Sequence, residues 1–344
     1  STLFPYTTLF RSRPTIFCLM PVKNEEWIIE RSLSSASIWA DKIIVSDQGS
    51  TDRTVEIARR FPKVTLLDNS KLEEFNEQEM RAPLFAEARK YSGKKLLISL
   101  DADEIFTPNF DSPEWNSMLN AEEGTRFIFN WYHILPDYEN VFTTIYNTCA
   151  FMDDGSEYNV GLIHVPRQPI PVRPVLQIKL NDISILHFQF INWERMERKH
   201  IWYQMYERIF YPKKSCISIY RGLHYDKHFL ERYKKIPLNR EWIDGYKTYK
   251  IDITTVHLVP CYIWDEVIIK YLNTYPKKYF NRIDMWNINW VEKIDKNVSF
   301  EKTKFEDKRT VLDKALMYYL RRTQGRKDTL GIKIIDRILK FLFR

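Results

Sequence analysis

The sequence predicts a mixed α/β protein built on one central sheet. From Thr15 to Leu100, apolar runs alternate with helical patterns, an order typical of parallel strands joined by right-handed helical crossovers. After Glu104 the apolar runs are joined by short turns instead, which predicts an α+β half. The last part of the chain is aromatic and basic, and its apolar spacing is mostly helical.

We expect three parts after a short leader. They are a strand–helix half, an α+β half and a helical extension, at residues 13–105, 106–212 and 213–344. The stretch Thr2 to Ser12 resembles the translation of a common sequencing adapter, so residues 1–12 are treated as a non-native leader. The alternative is an ordinary edge strand from Thr7 to Phe10.

Composition limits the class of protein. With 44% hydrophobic and 15% aromatic residues in 344 positions, the chain can bury a large core. A net charge of +7 favours anionic partners, such as a nucleotide diphosphate, a membrane surface or nucleic acid. The four cysteines lie far apart without metal-type spacing, and a reduced cytoplasmic compartment is their simplest explanation. No apolar run approaches the ~20 residues that span a bilayer.

The first strand is predicted at Thr15 to Met20, and the segment Pro21 to Glu26 follows it directly. Asn24 has the side chain of a helix N-cap, and the two glutamates after it suit the positive end of a helix dipole. Helical spacing of apolar residues then predicts the first helix, at Ile29, Leu33, Ala36 and Ala40.

The second strand is predicted at Lys42 to Val45, followed by the turn Ser46 to Asp52. Gly49 suits a tight bend in that turn. Ser50 or Thr51 is expected to cap the second helix, whose apolar face carries Val55, Ala58 and Phe61.

The fourth predicted strand carries the most distinctive acidic segment. A third strand, Val64 to Leu67, and a helix striped by Met80, Leu84, Ala88 and Tyr91 lead into the apolar run Leu96 to Leu100. Asp101-Ala102-Asp103-Glu104 begins where that strand should end. Ligands of open α/β sheets bind at the carboxyl ends of strands, and two such carboxylates suit a divalent cation beside a diphosphate. Taken alone, the pair is more typical of a solvated acidic turn, so the metal interpretation depends on the rest of the sequence.

Later elements are predicted from the same patterns. Further strands are expected at Arg126 to Tyr132, Tyr146 to Met152, Val160 to Val165, Ile183 to Phe188 and Tyr246 to Leu258. Helices are expected at Ser112 to Leu119, Asn192 to Phe210, Asp265 to Leu272 and Phe305 to Arg321.

Three motifs thus stand in order, each after a predicted strand: PVKNEE, SDQGSTD and LDADE. Together they resemble the nucleotide-sugar half of family 2 glycosyltransferases, which have the GT-A fold. The resemblance covers roughly residues 13–110 and is looser to about residue 210. It implies metal-dependent, inverting transfer of a sugar from a nucleotide diphosphate, with UDP-sugar expected, to a hydroxyl of a glycan or lipid-linked saccharide.

The same resemblance assigns the nucleotide site. Pro21 and Val22 match backbone positions that line the base pocket, and Glu25 matches a nucleotide contact. Asp47 matches the aspartate that accepts a hydrogen bond from uracil N3–H, and Arg81 resembles a basic residue facing the diphosphate. Each has a structural alternative: Asp47 caps its turn, Glu25 pairs with a helix dipole, and Arg81 is a solvated helix residue.

The resemblance also implies a site for Mn²⁺ or Mg²⁺. Asp103 matches the direct metal ligand, and Asp101 contacts ribose, the metal or its bound water. His187, at the end of a predicted strand, matches a histidine that related enzymes add as a ligand or diphosphate contact. A lone histidine in an apolar strand is otherwise structural.

The catalytic base departs from the family pattern. Inverting members use an acceptor-side carboxylate, but the segment Ile163-His164-Val165 has valine at the expected glutamate position. We predict His164 as the base, because its unperturbed pKa of ~6.5 suits proton transfer near neutral pH. Carboxylates nearby in the sequence are rivals for this role: Asp137, Asp153, Asp154 and Glu157.

Two other classes of function are consistent with parts of the pattern. A nucleotidyltransferase on a similar sheet would normally show a basic, glycine-rich loop after the first strand, and residues 21–26 contain no glycine. A catalytically degenerate nucleotide-sugar-binding module is the second alternative, since Val165 replaces the expected base. No nucleic-acid partner is expected.

The segment Leu330 to Arg344 predicts an amphipathic helix with a basic stripe beside its apolar face. At about 15 residues it is too short to span a bilayer, but such a helix can lie among lipid headgroups. We therefore expect a cytoplasmic protein with peripheral contact at the membrane inner face. The alternative is a helix packed on the aromatic extension.

Overall fold

The computed structural model describes residues 13–71, 76–158, 166–169, 176–225, 230, 233–257, 259, 262–293 and 307–343. The chain divides into two compact units. The first unit comprises Ser1–Phe188 with Pro237–His257, and the second comprises Gln189–Ile236 with Leu258–Arg344. The predicted boundaries near residues 105 and 212 fall inside these units, and the expected leader lies outside the described residues.

The first unit is organised around a mixed sheet. Its strands are β1 Thr15–Val22, β2 Lys42–Asp47, β3 Val64–Asp68, β4 Lys95–Ser99, β5 Glu104–Phe106, β6 Arg126–Ile134, β7 Asn140–Met152 and β8 Gln177–His187. They are ordered β3-β2-β1-β4-β7-β6-β8-β5, and the first four are parallel. β7 runs antiparallel to β4 and β6, β6 and β8 are parallel, and β5 is antiparallel to β8. A two-residue strand, β9 Ile236–Pro237, is formed where the chain passes from the second unit back to the first. The mixed α/β class is confirmed.

Helices cover the sheet of the first unit. They are α1 Ile29–Trp39, α2 Thr54–Ala58, α3 Glu77–Arg89, α4 Pro113–Asn120 and α7 Arg240–Thr248. Packing of α3 shows how the predicted apolar stripe is used, because Leu84 and Ala88 join one buried cluster with Phe17 and Leu97 of the strands. Burial of the three larger side chains, Phe17, Leu84 and Leu97, stabilises the sheet by about 1.5–3 kcal/mol each, before entropy losses are counted.

Two predictions about loops were wrong. Asn24 does not cap α1, which begins at Ile29 without a side-chain cap; instead Asn24 has a φ of 52° and bonds the next loop. Neither Ser50 nor Thr51 caps α2, which follows Arg53 without a side-chain cap; the Thr54 amide instead donates to Asp52 Oδ1 at 2.9 Å. Asn24, Ser50 and Thr51 thus hydrogen-bond one another across the two loops and do not cap the helices that follow.

The predicted strand from Tyr246 to Leu258 is also wrong. Tyr246 lies in α7, where its hydroxyl donates to the Phe106 carbonyl at 2.5 Å and contacts Ser35 Oγ at 2.6 Å. The Asn239 side chain caps this helix by accepting from the Glu241 amide. The predicted strand Val160 to Val165 lies outside the described residues.

The second unit is helical in its described part. Its helices are α5 Trp193–Phe210, α6 Cys216–Leu223, α8 Ile263–Thr274, α9 Val311–Thr323 and α10 Leu330–Leu342, with short 3-10 helices at Lys277–Tyr279, Trp290–Lys293 and Gln324–Arg326. One of its buried clusters joins Ile217 and Tyr220 of α6 to Met317 and Leu320 of α9. Among the described residues, no helix is long and apolar enough to cross a bilayer.

A glycine in α7 offers a test of this packing. A Cβ added to Gly245 would lie 2.5 Å from Pro108 Cγ, an atom of a ring that cannot swing aside. We expect Gly245→Ala to lower the free energy of unfolding by about 1–3 kcal/mol, measured by urea denaturation. Gly331→Ala in α10 is the matched control, since nothing lies within 4 Å of its Cβ position. A Gly245 variant as stable as the wild type would contradict this packing.

Candidate active site

The three sequence motifs lie at one edge of the sheet. β1 and β2 are parallel and in register, with Val22 opposite Asp47, so the loops after them leave the sheet side by side. β4 lies on the other side of β1, and its carboxyl end leads into the acidic segment. β1 extends through Pro21 and Val22, two residues beyond its predicted end. Both side chains are buried, and the Val22 carbonyl accepts from the Gln48 amide at 3.0 Å.

Asp47 organises the turn after β2. It is 7% exposed and accepts from the amides of Gly49 and Ser50 at 3.2 and 3.1 Å, and from the Ser50 hydroxyl. The turn-capping alternative therefore describes its contacts within the chain. Its predicted contact with uracil remains a prediction.

The loops after β1 and β2 are tied together by reciprocal hydrogen bonds. Asn24 Oδ1 accepts from the Thr51 amide at 2.7 Å, and the Asn24 amide donates to Ser50 Oγ at 2.9 Å. The Glu25 amide donates to Thr54 Oγ1 at 2.7 Å, while its carboxylate accepts from the Trp27 indole N–H at 2.6 Å. The backbone of these loops is thereby held in one arrangement.

Asp101 is held by two arginines. Arg81 Nη2 lies 2.5 Å from Asp101 Oδ1, and Arg167 Nη2 lies 2.6 Å from Oδ2. Arg81 also donates to Ser99 Oγ at 2.8 Å, and Arg167 also pairs with Glu104. Burial opposes ionisation of Asp101, but the charges of Arg167 and then Arg81 outweigh it and lower its pKa to about 2. Arg81 is 4% exposed, so it is not the solvated helix residue of the alternative prediction.

Asp103 faces a buried histidine. β5 pairs with β8 in a register that sets Glu104 opposite His187, and the Phe188 amide donates to the Asp103 carbonyl at 2.9 Å. As a result, Asp103 Oδ2 lies 3.5 Å from His187 Nε2. Trp131 stacks on the His187 ring with the planes 14° apart, which fixes the ring orientation.

A second histidine supports the first. The parallel register of β6 and β8 sets His133 beside His187, with the two Nδ1 atoms 2.9 Å apart. His133 Nε2 lies 3.1 Å from Thr144 Oγ1. Burial, and then the neighbouring His187, lower the pKa of His133 well below its usual value, so this ring is neutral. If His187 keeps a lone pair on Nε2, its Nδ1–H donates to His133, whose own proton then points to Thr144.

The three predicted metal ligands therefore lie at one edge of the sheet, but Asp101 does not share its partners with the other two. Asp103 and His187 face each other, whereas both oxygens of Asp101 are occupied by arginines. Within the described ranges, no three His, Cys, Asp or Glu side chains form a metal-type group. The sequence analysis did not include Arg167, Glu104 and His133 in the site. Arg167 reaches it from a loop, and strand pairing places Glu104 and His133, so no sequence motif marks any of the three.

The predicted base, His164, lies outside the described residues. Among its rivals, Asp137 accepts from the amides of Glu139 and Asn140 in the β6–β7 turn. Asp153 lies at the amino end of β4, where it pairs with Arg89 at 2.7 Å. Asp154 accepts from the Ser156 amide at 3.0 Å. These three carboxylates thus have structural roles in turns and an ion pair.

Part of the first unit is similar to a known protein family. Residues 17–134, from β1 to the end of β6, match the family model described as glycosyl transferase family 2. The resemblance drawn from the three motifs is confirmed over these residues.

Solved structures that resemble the chain include glucosyl-3-phosphoglycerate synthase from Mycobacterium tuberculosis. Its complex with Mn²⁺, UDP and glucosyl-3-phosphoglycerate matches at 26% identity over 36% of this chain and 44% of that chain, with a TM-score of 0.27. Its complexes with Mg²⁺ and UDP, and with Mn²⁺ and UDP-glucose, match with the same values. The chain thus spans less than half the length of these structures.

Proposed function

We propose that this protein is a metal-dependent, inverting glycosyltransferase. It would move a sugar from a UDP-sugar to a hydroxyl of a glycan or lipid-linked saccharide, in the cytoplasm and in peripheral contact with the membrane inner face. The observation that carries the proposal is the Asp103–His187 pair beside the arginine-held Asp101, at the carboxyl edge of parallel strands. The family 2 match over residues 17–134 supports the same class of reaction.

Asp103 and His187 fit a divalent cation. Their carboxylate and imidazole atoms face each other at 3.5 Å, and both are ligand types that Mn²⁺ accepts. Mg²⁺ is typically held by one or two protein ligands plus substrate phosphates, so a full protein cage is not required. A bound cation would neutralise charge that grows on the leaving diphosphate. Asp101 accepts one arginine hydrogen bond on each carboxylate oxygen, so binding that cation directly would use the remaining lone pairs of these oxygens.

Arg81 and Arg167 are proposed to face the diphosphate. Guanidinium groups bind phosphate oxygens through charge-assisted hydrogen bonds, and Asp101 holds both groups at the sheet edge. Because the pKa of Asp101 is about 2, this carboxylate stays ionised at neutral pH and keeps the arginines oriented.

The reaction would proceed by in-line displacement. The acceptor oxygen attacks the anomeric carbon while the bond from that carbon to the diphosphate oxygen breaks, so the nucleoside diphosphate leaves with its bonding electrons. The acceptor proton passes to the base, for which we propose His164 on sequence grounds alone.

The base-reading role of Asp47 has a direct test. Removing its carboxylate in Asp47→Ala leaves uracil N3–H unpaired, and we expect UDP affinity in calorimetry to fall by about 1–3 kcal/mol. Asp68→Ala is the matched control, because Asp68 ends the neighbouring strand and caps its own turn through the Ser70 amide at 2.9 Å. Unchanged UDP affinity in the Asp47 variant, or an equal loss in both variants, would remove Asp47 from the base pocket.

The proposed activity is tested with a panel of nucleotide sugars and Mn²⁺, followed by detection of released nucleoside diphosphate. A transferase releases UDP with at least one donor, and NMR of the new linkage distinguishes inversion from retention. Saturable binding without release would favour the degenerate binding module. Release of pyrophosphate from a nucleoside triphosphate and a sugar phosphate would favour the nucleotidyltransferase.

A further inference from the structure

The C-terminal helix α10 is anchored through a narrow inward face. Asp336 on that face is buried and receives two hydrogen bonds from Arg221, at 2.8 and 3.0 Å, and one from the Tyr319 hydroxyl at 2.9 Å. Leu339 and Phe343 pack on the cluster formed by α6 and α9. The orientation of α10 is therefore set by an ion pair and apolar contacts on one side.

The opposite side of α10 is apolar and exposed. Leu330, Ile334, Ile338 and Phe341 recur at spacings of four, four and three residues, so they share one face. Their exposed fractions are 75, 53, 56 and 75%. Ile335 and Leu342 widen this outer face on one flank. A contiguous patch of this kind is rare on monomeric proteins and typically marks a binding surface.

Cations border the outer face on its other flank. Lys333, Arg337 and Lys340 recur at spacings of four and three residues, and all three are exposed. The acidic side chain within residues 330–343 is Asp336, which is buried against Arg221. The helix thus presents apolar side chains and positive charge outward. The exposed Asp328, just before α10, lies 3.8 Å from Lys333 and offsets part of that charge.

We propose that α10 docks on an anionic membrane surface. The outer face would enter the boundary between headgroups and acyl chains, and the three cations would contact lipid phosphates. An apolar protein partner would not require the basic flank, whereas an anionic bilayer matches both features. This proposal specifies the membrane contact included in the proposed function. It rests on the packing of α10, and flotation tests it separately from the sugar-transfer activity.

The test is flotation of the full-length protein with vesicles. We expect it to float with phosphatidylcholine vesicles containing 30% phosphatidylglycerol at low salt, and much less with pure phosphatidylcholine or in 0.5 M NaCl. Replacing Lys333, Arg337 and Lys340 with Gln should lower the partition coefficient about a hundredfold, since each cation contributes about fivefold near an anionic surface. Deleting α10 is less informative, because it would leave the buried Arg221 without Asp336.

Matched variants separate the apolar contribution. Replacing Ile334, Ile338 and Phe341 with Ser should abolish flotation while leaving thermal unfolding unchanged, because these side chains are exposed. Leu312→Ser is the control, since Leu312 is a comparably exposed apolar residue of α9, at 60%. Equal flotation of wild type and both triple variants would overturn the proposal. A different result would also overturn it. If the wild type does not bind vesicles but forms a dimer in analytical ultracentrifugation, and the Ser variant is monomeric, then a second copy of the chain covers the outer face.

Discussion

Asp103→Asn is expected to lower Mn²⁺-dependent sugar transfer by about a thousandfold, which corresponds to about 4 kcal/mol of lost transition-state stabilisation. The substitution keeps the shape of the side chain and the backbone bond from the Phe188 amide, but removes the charge beside His187. The free energy of unfolding should therefore change by less than about 1 kcal/mol. Initial rates across a range of Mn²⁺ concentrations measure the effect.

Asp153→Asn is the matched control for that variant. Asp153 is also a largely buried, ion-paired aspartate of the same unit, but it pairs with Arg89 at the amino end of β4, away from the site. Its transfer rate should stay within about twofold of wild type. If Asp103→Asn turns over like Asp153→Asn, then Asp103 is not the metal ligand, and the proposed site must be abandoned.

Asp101→Ala is expected to lower the free energy of unfolding by about 3 kcal/mol. The change leaves Arg81, which is 4% exposed, without its carboxylate partner, and an unpaired buried charge is far more costly than the pair is stabilising. Urea denaturation measures the loss. The same variant should also lose transfer activity, since Arg81 and Arg167 both lose the carboxylate that orients them toward the proposed diphosphate site, although Arg167 keeps its pair with Glu104.

A double-mutant cycle identifies the source of that loss. If the unpaired cation is responsible, adding Arg81→Met to Asp101→Ala should recover about 1–3 kcal/mol of stability relative to additivity. Additive losses would show that Asp101 stabilises the fold by another route. A stable Asp101→Ala variant would show that water reaches Arg81 and solvates it.

Much of the first half of the fold was predictable because its signals are local. Apolar runs of strand length alternate with helical stripes, and strands β1, β2, β3 and β4 were each predicted within two residues at either end. The turn residues after these strands identified the edge where Asp47 and Asp101 lie. Parallel topology alone brings such residues together, so no long-range contact had to be known.

The pairing of Asp103 with His187 was implied by family resemblance and not by residue patterns. It depends on β5, a strand of three residues that is too short to show periodicity, and on its register with β8. His133 joins the site through the register of β6 and β8, which the sequence does not reveal. Arg167 reaches Asp101 from a loop 66 residues later, and an isolated loop arginine has no distinguishing pattern.

The reciprocal bonds between Asn24 and the Ser50–Thr51 loop have a consequence for the energetics of ligand capture. Because both loops are already immobilised, the conformational entropy of ordering them is lost during folding and not during association. We therefore expect nucleotide binding at this edge to be fast and to require little rearrangement of the backbone of these two loops. We also expect Asn24 to influence nucleotide affinity without touching the ligand, since its left-handed backbone and its bonds to Ser50 and Thr51 determine where the two loops lie.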